Sequence, residues 1–316
     1  MTGWKHLGDA SIQSLRLNRE KEKNMKKLGK KLMALVVALA MIATVIPVVN
    51  AEAATTKKMT LYVGEAVYFT DYGKVSSVTS SKKSVVSAAK DKENNTHANL
   101  TAKKAGTSTV TVKTKYGTTK IKVTVKKLAF DVKLTQLSEG SVLVSVKNNT
   151  KQAFDYANVT YTLKGADGEV LEKDKKLISD LLPGKTSYTT ISYSSYSFTI
   201  DINQCSGKIS DISRSLSATY KDRSSKVAIT DTEDTQINPG YSTITLKMEN
   251  KSSSSVSGSV FILLYDEADQ LIGVRPVSIY LKGNAVETET IKIDTEYTYK
   301  SYDHYKLKTV AYSKSY

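Results

Sequence analysis

Beyond position 51 of this 316-residue chain, His97, His304 and Cys205 are the side chains best suited to nucleophilic or acid–base chemistry. Their surroundings argue against that use. His97 ends the polar run Lys92-Glu93-Asn94-Asn95-Thr96, which reads as an exposed loop, and His304 stands between Tyr302 and Tyr305. Cys205 precedes Ser206-Gly207. A catalytic nucleophile needs a base within reach and a third group to orient that base, and no such pattern can be read here, so no enzymatic activity is expected. As the only cysteine, Cys205 cannot form an intrachain disulfide.

Two acidic runs could supply oxygen ligands to calcium. Asp266, Glu267 and Asp269 share one turn, and Asp231, Glu233 and Asp234 are read as sharing another. Neither has the spacing of a known calcium loop, and turns favour aspartate for their own backbone reasons. Asp266, Glu267 and Asp269 are the calcium candidates, but the expectation is no metal and no cofactor. Tyrosines crowd two regions, at Tyr188, Tyr193 and Tyr196 and at Tyr297, Tyr299, Tyr302, Tyr305, Tyr312 and Tyr316. Such rings stack on sugars, but they also pack strands with the hydroxyl at the surface. Packing is the expected use. The sole tryptophan, Trp4, lies near the start of the chain.

The lysines are the stronger signal. Residues 52–126 hold fourteen lysines against five acids, whereas residues 127–316 hold 23 of each sign. A localised excess of one sign points to an anionic partner better than a diffuse one does. In residues 107–125, Val110 and Val112 alternate with Thr and Lys, as do Ile121, Val123 and Val125. Period-two alternation predicts two strands with one buried face. With Tyr116-Gly117 as a tight turn, Lys113 faces Lys120, Lys115 faces Thr118 and Val112 faces Ile121. Lys113, Lys115, Lys120 and Lys122 then form a basic face. It would meet an anionic wall polymer, an anionic glycan or a bilayer surface, or simply be solvated and keep sheet edges apart.

Strand formers dominate the rest, proline is scarce and no long amphipathic helix can be read. Three motifs in residues 55–126 then carry a resemblance: Leu61-x-Val63-Gly64-Glu65, Ser80-Ser81-Lys82-Lys83-Ser84-Val85, and Leu100-Thr101-Ala102-Lys103-Lys104-Ala105-Gly106 running into Val110-x-Val112. This stretch resembles the bacterial immunoglobulin-like domain, group 2. The resemblance implies an Ig-like sandwich of the kind found in bacterial surface proteins, and it implies no single activity. Where that family usually has Trp, seven residues before Val85, this chain has Val78.

Residues 128–316 contain a repeat at an offset of about 102. Val144-x-Val146-x-Asn148 matches Leu246-x-Met248-x-Asn250, and Val159-x-Tyr161-x-Leu163 matches Phe261-x-Leu263-x-Tyr265. Ala166-Asp167 matches Ala268-Asp269, Val170 matches Ile272, and Leu182-Pro183-Gly184 aligns with Leu281-Lys282-Gly283 after a small deletion. Two copies mean tandem domains, expected at 128–220 and 226–316 with a polar linker at Tyr220 to Lys226. Leu264-Tyr265-Asp266, Asn250 and Leu182-Pro183-Gly184 resemble FxLYD-type and related Ig-like domains of exported bacterial proteins.

Residues 25–53 read as an export signal. A basic segment, Met25 to Lys31, precedes an apolar run from Leu32 to Val49 and the small-x-small pattern Val49-Asn50-Ala51. Cleavage is expected between Ala51 and Glu52, with a second point after Ala53; if the segment were retained it would tether the chain to a membrane. Residues 1–24 lack the periodicity of an ordered element, which places the expected translation start at Met25.

The sequence therefore predicts an exported, all-β, non-enzymatic protein of three tandem Ig-like domains at the cell surface or secreted, serving adhesion, envelope association or presentation. Its expected partner is an anionic cell-wall polymer or glycan, or a host surface protein, not nucleic acid; membrane contact follows only from a retained signal. The alternative is a carbohydrate-binding accessory protein.

Overall fold

The computed structural model describes residues 55–70, 73–138, 140–194, 199–238, 241–294 and 302–316. The export signal, its cleavage point at Ala51 and Glu52, and residues 1–24 lie outside the described residues. Strand follows strand: β1 (Thr55–Tyr62), β2 (Ala66–Thr70), β3 (Val75–Ser80), β4 (Val86–Lys90), β5 (His97–Ala102), β6 (Gly106–Thr114) and β7 (Gly117–Lys126). They form two sheets, ordered β1-β7-β6-β3 and β2-β5-β4, with β1 parallel to β7. Leu61, Phe69, Leu100, Val110, Val112, Ile121 and Val123 fill the space between them. Val78 packs against this core from a half-buried position.

The second unit runs through β8 (Phe130–Ser138), β9 (Ser141–Asn148), β10 (Phe154–Lys164), β11 (Val170–Leu181), β12 (Thr186–Ser192) and β13 (Ser206–Ser213), in sheets β12-β9-β8 and β11-β10-β13. The third contains β14 (Thr219–Asp222), β15 (Val227–Asn238), β16 (Tyr241–Asn250), β17 (Val256–Tyr265), β18 (Leu271–Leu281), β19 (Val286–Asp294) and β20 (His304–Ser315). Its sheets, β15-β16-β19 and β14-β20-β17-β18, repeat the second unit's order strand for strand, with β14 added at one edge. The protein is all-β, a tandem of two-sheet β-sandwiches. The expected linker is partly structured, because Thr219–Asp222 ladders onto β20 from Ser315 to Tyr312.

The repeat is carried by one buried asparagine per copy. Asn148 and Asn250 are essentially inaccessible. The Asn148 amide donates to the carbonyls of Gln152 and Leu181, and its oxygen accepts from the Thr150 N–H and hydroxyl. The Asn250 amide donates to Ser254, Leu281 and Lys282, and its oxygen accepts from the Ser252 N–H and hydroxyl. Each is an Asx turn whose side chain also satisfies carbonyls from a neighbouring loop, which a buried amide must do to offset its desolvation.

Two registers differ from the expected ones. In the first unit Thr114 pairs with Gly117, so the loop is Lys115-Tyr116; Lys113 faces Thr118, Thr111 faces Lys120 and Val110 faces Ile121. There is no Lys113–Lys120 pair. The strands are slid by two residues, which keeps every side chain on its face, so alternation could not have detected the difference. Gly117, at φ +142°, begins β7 in a conformation that disfavours other residues.

In the repeat the offset of 102 holds at Asn148 and Asn250 but not through the following hairpin. The β10–β11 ladder steps from Phe154↔Leu181 to Tyr156↔Ser179 with Asp155 and Asp180 between them, whereas the β17–β18 ladder runs unbroken from Val256↔Leu281. The earlier hairpin is therefore one residue longer on each strand. Beyond that insertion Leu163 corresponds to Leu264, and Gly168 (φ +84°) to Asp269 (φ +56°). Farther on, Gly184 (φ +74°) corresponds to Asn284 (φ +58°). The one-residue slip changes faces: Val159, Tyr161 and Leu163 fill the second core, while Phe261, Leu263 and Tyr265 lie on the side of β17 turned away from the third.

Candidate functional site: the basic first unit and the junctions

The outer face of β1-β7-β6-β3 is built from the polar half of each alternation. Lys113, Lys120 and Lys122 are exposed on it with Thr109, Thr111 and Thr124, and Lys115 stands in the turn beyond. The parallel pairing of β1 adds Lys58, next to Lys122, and Thr56, next to Lys120. None of these five lysines has a carboxylate within ion-pair distance among the described residues. The structure thus places three of the four predicted lysines, Lys113, Lys120 and Lys122, on one side of one sheet and Lys115 in the turn at its end, and Lys58 extends the array.

Where the first unit meets the second, Tyr62 leaves its own sandwich and enters the second core, edge-on to Phe154 with ring centroids 5.3 Å apart. Gly64, at φ +87°, lies so close to β13 that a Cβ would stand 3.0 Å from the Ser210 carbonyl oxygen. Glu65, fully buried, receives the Tyr62 N–H at 2.9 Å and the Arg214 Nε at 2.8 Å, and an Arg214 terminal nitrogen donates to the Thr60 carbonyl. Burial pushes the Glu65 carboxyl up, and the Arg214 charge and the Tyr62 N–H only partly oppose it. Such a pair costs much desolvation, and removing one partner is worse than removing both.

Beside this contact a cavity of about 520 Å³ opens between the units, lined by Lys57, Lys58, Lys126, Arg214, Phe69 and Leu216 among others. Lys57 pairs with Ile121 on the core-facing side of β1, and its Nζ lies 4.9 Å from the Phe69 ring centroid. Sequence reasoning missed Lys57, Lys58, Lys126 and Arg214 as a group. They come from β1, β7 and the segment after β13, and nothing in their local spacing links them.

The second and third units meet through an apolar cluster of Ala153, Leu182, Phe261, Leu263 and Val310, with Tyr188 edge-on to Phe261 at 5.1 Å. The inserted aspartates frame it. Asp180 accepts from the Ser259 hydroxyl at 2.6 Å, and Asp155 accepts from the Tyr220 hydroxyl at 2.8 Å and Lys314 at 3.1 Å. Burial pushes the Asp180 carboxyl up, against hydrogen bonds from Ser259 and Tyr312.

The remaining candidates are dispersed. Asp266 caps its own turn by accepting from the Ala268 and Gln270 N–H groups, Glu267 is exposed at the tip, and one Asp269 oxygen is shared by Lys306 and His304 at 3.1 Å each. The hydrogen bond from Lys306 holds the Asp269 carboxyl below its usual range. Among the described residues no group of three His, Cys, Asp or Glu is placed to hold a metal ion. His97 and Cys205 sit in different units; the Cys205 thiol donates to the Asp201 carbonyl and accepts from the Lys164 N–H. Asp231, Glu233 and Asp234 do not share a turn but lie along β15, paired with β16, where Tyr302 and Tyr305 donate to Asp234 and Asp231. Burial pushes the Tyr302 phenol up to about 12. Tyr196, Tyr297 and Tyr299 lie outside the described residues.

No family model matches this chain, and no curated protein matches it in sequence. Among solved structures it is similar to the crystal structure of the I9-I11 tandem from titin, at 13% identity over 74% of this chain and 95% of that one, with a TM-score of 0.19.

Proposed function

We propose that the protein is exported and acts outside the cytoplasm as a non-enzymatic envelope component whose first unit holds an anionic wall polymer or glycan. One observation carries this reading: Lys58, Lys113, Lys120 and Lys122 share an outer sheet face with threonines and no described carboxylate, while the rest of the chain beyond residue 126 is charge-balanced. Polyanions bind such a face through field and counterion effects without needing a tailored pocket. The group 2 bacterial Ig-like motifs at residues 61–65, 80–85 and 100–112 support a bacterial surface setting. The later pair would be FxLYD-type spacers that hold the first unit in place, with domains at 55–126, 128–220 and 226–316.

The carbohydrate-binding alternative rests on the tyrosines. Those at Tyr188, Tyr302, Tyr305 and Tyr312 are engaged with Phe261, Asp234, Asp231 and Tyr220 respectively, which favours the polyanion reading. Cell fractionation with N-terminal sequencing tests the proposal. A product beginning at Glu52 in the wall or medium supports it. A full-length chain in the membrane fraction moves it to the tethered form, and a cytosolic chain overturns it.

A further inference from the structure

The cavity between the first and second units has the size of a ligand site and an unusual lining. Arg214 is neutralised by Glu65, but Lys57, Lys58 and Lys126 have no described carboxylate within ion-pair distance. Lys57 is half-buried on the core-facing side of its strand, with its Nζ over the Phe69 ring. An anion entering the cavity would meet three lysines that no described carboxylate neutralises, and half-buried Met59 and Leu216 offer the apolar surface on which a sugar or polyol carbon face can rest. The cavity is also continuous with the basic face. Lys58 belongs to both, lining the cavity and standing beside Lys122 on the outer sheet.

We propose that this cavity holds one anionic repeat unit of a sugar or polyol polymer, whose chain continues over the outer lysine face by way of Lys58. The inference rests on the polyanion reading above and adds a specific seat to it. The shared chemistry is an anionic group on a hydroxylated carbon chain; phosphate and carboxylate versions are separated by the probes used.

The test is calorimetric titration of residues 52–316 with oligo(glycerol phosphate) and, separately, with oligogalacturonate. Three variants are compared: Lys57→Gln with Lys126→Gln, Ser217→Trp, and Lys113, Lys115, Lys120 and Lys122 all to Gln. Ser217 lines the cavity and is exposed, so tryptophan there fills space without changing charge. The expected result is a loss of affinity of about tenfold or more in both cavity variants for one probe, with circular dichroism unchanged. If only the outer-face variant loses affinity, the cavity inference fails and the polyanion reading stands. If both cavity variants lose affinity and the outer-face variant does not, the cavity is the site and the outer face is not. If neither probe binds the unaltered chain, both fail. Should Lys57→Gln impair folding, Ser217→Trp alone decides, and unchanged affinity in it overturns the inference.

Discussion

The two junctions of this molecule are built on opposite principles. Between the second and third units the contact is a small core: Phe261, Leu263 and Val310 pack against Ala153 and Leu182, and polar bonds sit around them. Between the first and second units one tyrosine plugs the neighbouring core, one ion pair is buried, and a cavity is left beside them. A dry apolar contact fixes two units against each other. A contact that keeps a cavity lined with lysines retains charge at a cost that packing would have avoided. On the proposed reading the third unit supports the second, and the first is the unit that would meet a partner.

The largest break in this contrast should come from Phe261→Ala. Deleting a buried aromatic ring costs roughly 3–5 kcal/mol. Because Phe261 faces the junction, urea unfolding of the variant should split into two transitions; a single transition at the original midpoint would show that the contact carries no coupling.

Arg214→Ala comes next. It strands Glu65, at about 3 kcal/mol. Unfolding measurements should show a much smaller deficit in the double variant Arg214→Ala with Glu65→Gln, because the buried charge is then gone. Equal deficits would mean that the ion pair is not what Arg214 contributes.

The smallest effect should follow Asp180→Asn. Its carboxyl is raised above the ordinary value of 3.8, so the folded state binds the proton more tightly than the unfolded chain does. The stability this brings is present below that value and is lost as pH rises through the folded one. The variant should flatten the decline in stability between pH 3.8 and neutrality, as read from thermal midpoints, because asparagine tolerates the φ of +58° and stays neutral. An unaltered pH profile would remove Asp180 from the junction's titration.

Much of the fold could be read from alternation. Val110, Val112, Ile121 and Val123 are all fully buried, as their period of two required. Asn148 and Asn250 stood out through spacing, although their role as buried carbonyl partners needs the third dimension. Register was illegible for a definite reason: a slide of two residues between β6 and β7 leaves each face unchanged. The repeat misled beyond Phe154, because one extra residue on each strand at Asp155 and Asp180 shifted later matches by one and exchanged core for junction. The junctions were invisible locally. Tyr62 alternates like any strand aromatic, and Lys57 in Thr55-Thr56-Lys57-Lys58 gives no sign that it faces inward.

The claim that the first unit is the one that meets a polyanion is tested most directly by retention of residues 52–316 on purified cell walls across a sodium chloride series. Screening shortens the reach of exposed charges from about 10 Å at 0.1 M to about 3 Å at 1 M salt. The account predicts retention that falls steeply over that range and is already low, at every salt concentration, when Lys113, Lys115, Lys120 and Lys122 are replaced by Gln. Retention that ignores salt, or that survives those four replacements, would contradict it.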